Sequence, residues 1–249
     1  MTKIISSMLI LMSSLCLSLP LMASTDTRAE IGYMGFESHT LERNPGAFDQ
    51  PYLLLSHQQP LANQSLFTSV KLENPGRLVQ DQQHHSGRQA AKLFGRYQPQ
   101  ATGQRGLWLQ GFSMLSENIV ENNLFMGLKQ GNRIGTVDMK FGAGAHYSFG
   151  RSEFSKQDYA AWSGMVTTVQ LNWRYAKSNL SLDWIGHYFR DDKHMDTFGY
   201  HGHGQQLTLA ANQPLSENWQ FQSKLTGYKS LGANPNDGLE YAVGINYRF

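Results

Sequence analysis

Residues 238–249 read GLEYAVGINYRF. Large apolar side chains fall on every second position: Leu239, Tyr241, Val243, Ile245, Tyr247 and Phe249. Between them stand Gly238, Glu240, Ala242, Gly244, Asn246 and Arg248, all small or polar. A period of two puts the two sets on opposite faces of a β-strand. Terminal strands of soluble domains often fray. Here the apolar set includes the final residue, so the outer face meets an apolar medium up to its end.

The opposite end of the chain indicates which medium. Residues 1–23 hold one basic residue, Lys3, then an apolar run from Ile4 to Met22. Small residues follow, with Ala23 before Ser24. This is the pattern of a cleaved secretory signal peptide over 1–23, leaving 24–249 as the exported domain. The run is just long enough to anchor a chain in a membrane. Its serines, Pro20 and its small-residue exit favour cleavage instead. Cys16 is the single cysteine and follows Leu15 rather than a small residue, which argues against a lipid anchor. Cleavage after Ala23 removes the only thiol, so no disulfide is expected.

After residue 23 no stretch is long and apolar enough for a spanning helix. The chain carries 21 Lys and Arg against 19 Asp and Glu, so it has no charge excess to suit a polyanion, and no nucleic acid partner is expected. An export signal, a polar average and alternating strands agree with a transmembrane β-barrel, which hides its apolar residues in alternation. Lipid offers no hydrogen bonds to a free backbone edge, so such a sheet must close.

Laying out the alternation predicts an all-β, closed antiparallel barrel of twelve strands, with ten as the alternative count. The expected strands are 30–37, 51–57, 65–73, 89–98, 105–115, 120–129, 133–149, 161–175, 180–190, 205–212, 218–228 and 238–249. Their connections alternate in character. Short ones lie at 58–64, 99–104, 130–132, 176–179 and 213–217; longer, more charged ones at 38–50, 74–88, 150–160, 191–204 and 229–237. The connection at 116–119 is short where a long one is due. Short periplasmic turns and long extracellular loops are the habit of outer-membrane barrels.

In GTVDMKFGAGAHYSFG (135–150) the outward set is Val137, Met139, Phe141, Ala143, Ala145, Tyr147 and Phe149. Asp138, Lys140, His146 and Ser148 face inward, so no charge meets lipid, where a midplane Lys or Arg costs about 2–4 kcal/mol. In 166–190 Val169, Leu171, Trp173, Leu180, Leu182 and Trp184 face out, while Gln170, Asn172, Arg174, Asp183 and His187 face in. A turn at 176–179 pairs Asn172 with Asp183 and sets Arg174 one diagonal away, so an Arg174–Asp183 pair is expected in the lumen. Lys71, Glu73, Lys92, Arg96 and Lys224 complete the expected lumen charges. Trp173, Tyr175, Trp219 and Phe221 lie beside short turns, as an interfacial aromatic girdle does.

No motif points to catalysis, a metal or a cofactor. His194, His201 and His203, and the His84–His85 pair, have no cysteine beside them and read as polar loop residues. His84, His85 and Ser86 invite comparison with rim-located outer-membrane hydrolases. Neighbours on a strand point to opposite faces, so His85 and Ser86 do not cooperate there. The glycines of 141–150 precede no helix, which a phosphate loop requires.

The final strand, with Tyr241, Val243, Ile245, Tyr247 and Phe249, resembles the assembly signal read by the outer-membrane barrel-assembly machinery. LFTSVKLENPG (66–76), AKLFGRYQP (91–99) and WRYAKSNLSLDWIGHYFRDD (173–192) resemble the Tsx/OmpK-type nucleoside channels in order and spacing. YLLLSH (52–57) resembles oligogalacturonate-type porins, and the last strand also looks like that of solitary autotransporter-like barrels. The resemblance implies a porin-like outer-membrane channel for passive diffusion of small polar solutes, in contact with membrane lipid and lipopolysaccharide. The alternative is a structural or adhesive barrel with a closed lumen, and a rim hydrolase comes third.

Overall fold

The structure, a computed structural model, describes residues 25–44, 47–78, 89–100, 103–231 and 236–249. The expected signal peptide and the His84–Ser86 stretch lie outside the described residues. Twelve antiparallel strands close into one barrel. They are β1 Asp26–Phe36, β2 Gln50–Leu61, β3 Gln64–Glu73, β4 Ala90–Pro99, β5 Arg105–Ser116, β6 Ile119–Ile134, β7 Val137–Ser152, β8 Gln157–Tyr175, β9 Ser178–Tyr188, β10 Gly204–Pro214, β11 Trp219–Lys229 and β12 Gly238–Arg248. Each strand pairs with its sequence neighbours, and β12 pairs with β1 from Arg248 opposite Arg28 to Glu240 opposite Phe36. No backbone edge is left for lipid to face.

The outside of the cylinder is apolar. Ile31, Leu55, Leu128, Leu209 and Ile245 are exposed, and all belong to outward parities of their strands. The expected terminal set follows the same rule, with Tyr241, Val243 and Ile245 exposed. Phe249 prolongs the last strand: its N–H donates to the carbonyl of Thr27, and its ring meets Tyr247, which in turn meets Trp219 at 5.0 Å. A band of apolar side chains edged by aromatics matches hydrocarbon edged by headgroups.

Three expected connections are placed differently. Residues 150–160 are mostly strand, because β7 runs to Ser152 and β8 starts at Gln157, leaving four residues between them. The stretch 130–132 is strand, because β6 and β7 continue to a two-residue turn at Gly135 and Thr136, where Gly135 has φ 58°. A left-handed first position suits a tight two-residue hairpin. The β8–β9 turn is also two residues long, Ala176 and Lys177, with Ala176 at φ 52°. It brings Asn172 opposite Ser181 and Gln170 opposite Asp183. The expected pairing of Asn172 with Asp183 is therefore displaced by two residues, and Asp183 takes Arg96 of β4 as its ion-pair partner instead of Arg174.

Two short helices interrupt the long loops, α1 Ser38–Arg43 and α2 Asp192–Phe198. Glu37 caps α1 through the Thr40 N–H. Asp191 caps α2, accepting from the N–H groups of Lys193 and His194. Gly199, at φ 74°, ends it by donating to the Met195 carbonyl. Capping side chains satisfy helix-end donors, and a left-handed glycine satisfies the final carbonyls. His194, Thr197 and Phe198 of α2 are buried, so this loop folds onto the barrel rather than standing in water.

Candidate functional site

The strand registers place Lys92, Arg96, Asp138, Lys140, His146, Gln170, Asn172, Arg174, Asp183, His187 and Lys224 on inward-facing parities. They occupy different heights and do not form one cluster. Asp138 binds Arg133 through two hydrogen bonds at 2.7 and 2.9 Å. With Asn172 and Arg174 the two line a recess of about 400 Å³ at the short-turn rim.

In the half nearer the short turns a hydrogen-bonded ring crosses the bore. Arg96 of β4 reaches Asp183 of β9 at 3.5 Å. Asp183 accepts from the Gln170 amide of β8. Gln170 Oε1 accepts from Lys129 of β6 at 2.5 Å, and Lys129 also donates to Gln98 of β4 at 2.9 Å. Gln98 lies two residues beyond Arg96 on the same face of β4, which closes the ring. Lys129 is only 1% exposed. A buried ammonium is costly unless its donors are taken up, and here two amide oxygens meet it while the Trp108 ring lies 5.5 Å away.

Beyond the recess at the short-turn rim, the sector behind this ring, bounded by β5–β9, is closely packed. Trp108, Phe125 and Val166 form a buried cluster, with Trp108 stacked on Phe125. His146 and His187 sit against Phe125 at 4.9 and 5.0 Å. Toward the long-loop rim a β-bulge interrupts the β7–β8 ladder between Ala145 and Tyr147. Gly164 supplies the φ of 80° that a bulge of this kind uses. The bulge turns the Ser163 carbonyl to His146 Nδ1 at 3.1 Å and leaves the Ser163 hydroxyl facing inward.

That hydroxyl meets His194 Nδ1 of α2 at 2.5 Å and accepts from the Asp191 N–H at 3.4 Å. On its other side His194 faces Glu121 of β6 at 3.9 Å, an ion-pair distance. Glu121 accepts from Asn123 at 2.8 Å and from Tyr200 at 2.7 Å. Ser163, His194 and Glu121 are all buried. They tie the loop carrying α2 to the barrel wall. Adjoining them, Arg190 stacks on Tyr200 at 4.6 Å and donates to the His201 carbonyl. Among the described residues no group of three His, Cys, Asp or Glu is arranged to hold a metal ion.

The opposite sector is closed toward the long-loop rim by a buried cluster of Met34, Phe36, Tyr52, Tyr228 and Ala242, and opens below it. A cavity of about 140 Å³ is lined by β1, β2, β3, β10, β11 and β12. Asp26, Arg28, Glu30, Ser56, Lys224 and Asn246 supply much of its polar surface. Arg28 is clamped to Asp26 at 2.9 and 2.5 Å and reaches Gln220 at 2.7 Å. Glu30 accepts from Tyr52 at 2.5 Å and Asn246 at 3.1 Å. Farther toward the long-loop rim Glu73 takes Lys92 at 2.6 Å and Lys71 at 3.2 Å. Phe67, which lines the cavity, packs edge-on against Phe94 at 5.9 Å, and both keep part of their surface open.

Lumen-facing aromatics are the feature that the reading of charges passed over. Phe67 shares its parity with Lys71 and Glu73, and Phe94 shares its parity with Lys92 and Arg96. Their inward direction was therefore available from the alternation. Lys129 escaped because its strand was expected to end there. The role of Ser163 had no signal at all, since it depends on a bulge and on a loop folding inward.

The family described as "Nucleoside-specific channel-forming protein, Tsx" matches residues 31–249. No curated protein sequence matches the chain. Among solved structures, the chain is similar to the NanC porin at TM-score 0.53 and 10% identity, covering 91% of this chain and 100% of that one. It is also similar to an outer membrane channel from Pseudomonas putida at TM-score 0.52 and 10% identity, covering 93% and 98%. The KdgM porin follows at TM-score 0.51 and 9% identity, covering 89% and 99%. At such identities these structures speak to the fold.

Proposed function

We propose, for a chain that belongs to the Tsx channel-forming family and is an outer-membrane channel for small solutes, that the solutes it passes are nucleosides and molecules of like size and polarity. The observation that carries this is the pairing of open aromatic rings with polar groups on the lumen wall. Phe67 and Phe94 offer faces and edges to a planar heterocycle, while Ser56, Lys224 and the acidic groups of the cavity offer partners to hydroxyls. Selection in such a pore lies in its diameter and in the hydrogen-bond groups that line it.

On this reading the chain works without catalysis. Ser163, His194 and Glu121 have the residue types of a hydrolytic triad, but the serine is fully buried and its hydroxyl already receives a backbone N–H. A nucleophile needs room for its substrate and donors for the oxyanion. The same reading takes residues 1–23 as the export signal, 24–249 as the barrel, and Tyr241, Val243, Ile245, Tyr247 and Phe249 as the strand read by the assembly machinery.

The test is permeation into liposomes containing the purified protein. Adenosine and thymidine are expected to enter at least several-fold faster than a disaccharide of similar mass. Equal rates for both classes refute nucleoside preference and leave a general small-solute channel.

A further inference from the structure

We infer that the ring through Arg96, Asp183, Gln170, Lys129 and Gln98 is a partition that divides the bore, confining the solute path to the half of the barrel formed by β10–β12 and β1–β3. Arg96 and Asp183 are then the charged edge past which solutes move, and so help determine selectivity. This concerns the route and not the identity of the solute, so it stands apart from the nucleoside reading.

Topology supports it first. β4 and β9 divide the twelve strands into two arcs, and the Arg96–Asp183 pair runs from one to the other as a chord. The cavity is lined by β1–β3 and β10–β12 alone, which is the arc on one side of the chord. Behind the ring the other arc is filled, with Trp108, His146 and Val166 0% exposed, and it opens only at the short-turn rim, in the recess beside Arg133 and Asp138. Thr168, behind the ring, is also buried. Gly142 separates the Lys129 stem from Thr168, and a Cβ there would stand 3.2 Å from Lys129 Cγ and 3.0 Å from Thr168 Cγ2. Lys129 thus covers Thr168 because the residue between them has no side chain.

Bonding supports it second. Each member of the ring is held by at least one other on a different strand, and Lys129 alone joins three strands, β4, β6 and β8. Such cross-links hold a wall rather than a set of free side chains. Charge supports it third. Asp183 is the one acid of the ring, paired with the Arg96 guanidinium. Neutralising it leaves a net positive edge along the path, and a ring of cationic side chains favours anions.

Cysteine scanning and ion selectivity test the partition. In the detergent-purified protein, Ser56→Cys on the cavity side and Thr168→Cys behind the ring are labelled with a charged thiol reagent. The modified peptide is identified by mass so that Cys16 does not interfere. Labelling at Ser56→Cys at least fivefold faster than at Thr168→Cys supports the partition, and a smaller ratio overturns it. Adding Lys129→Ala to Thr168→Cys is expected to raise its labelling rate at least fivefold; no rise overturns the assignment of Lys129 as its cover. In planar bilayers under a KCl gradient, Asp183→Asn is expected to move the reversal potential toward anions. An unchanged potential in a conducting, heat-modifiable variant overturns the placement of the path beside the chord. Failure of nucleosides to permeate, with the labelling pattern intact, removes the solute reading alone.

Discussion

Replacing Val243 with arginine places a charge where the barrel meets the middle of the bilayer. Val243 is the central residue of β12, five residues from Gly238 and five from Arg248. A strand rises about 3.4 Å per residue. At a tilt of about 40° this is roughly 2.5 Å along the membrane normal, so each end lies about 13 Å away and the strand spans about the 25 Å apolar band of such barrels. Val243 is outward and exposed, with Tyr33 and Ser223 as its cross-strand partners, and neither can neutralise a guanidinium. The expected cost of Val243→Arg is about 2–4 kcal/mol. Ala29→Arg is the control, since Ala29 pairs with Tyr247 and so lies four residues nearer the short-turn rim. There the charge reaches the headgroups and the cost falls to about 0–1 kcal/mol. The difference of about 2–3 kcal/mol corresponds to roughly 30- to 150-fold in the folding equilibrium. Guanidinium titration of tryptophan fluorescence in phospholipid vesicles measures it as a shift in midpoint with unchanged slope. Equal shifts for the two variants, or none for Val243→Arg, would refute the orientation of the last strand and with it the membrane-facing exterior.

Lys129→Met removes the ammonium and leaves the amide oxygens of Gln98 and Gln170 without their donor, at an expected cost of about 1–3 kcal/mol for each buried group left unpaired. The same vesicle titration reads this, and a stabilised Lys129→Met protein contradicts the account of a satisfied buried cation. Ser163→Ala takes away the hydroxyl shared by His194 and the Asp191 N–H, so the loop carrying α2 is expected to open more often. Protease added to intact cells should then cut within 191–203 several-fold faster while the barrel keeps its heat-resistant migration; an unchanged cutting rate argues against the clasp.

Much of this architecture was legible in the chain. Period-two alternation in stretches such as 137–149 and 238–249 identifies strands, and the absence of charge from one parity identifies the lipid side. Both follow from local geometry, because a strand must point successive side chains to opposite faces. The same rule set Lys92, Arg96, Asp183 and Lys224 on the inward side. Alternation gives a face and no more. It carries neither the height of a residue nor its neighbour across the bore, and the length of one turn shifts both. The two-residue turn at Ala176 and Lys177 moved Asp183 opposite Gln170, where it meets Arg96 from a strand far away in sequence. The inward fold of α2 and the bulge at Gly164 likewise join Ser163, His194 and Glu121 from three separate elements. Local patterning by itself thus determined a closed membrane cylinder and the direction of its side chains. Only tertiary structure decided what fills it, since cross-bore contacts depend on closure, shear and loop placement summed over all twelve strands.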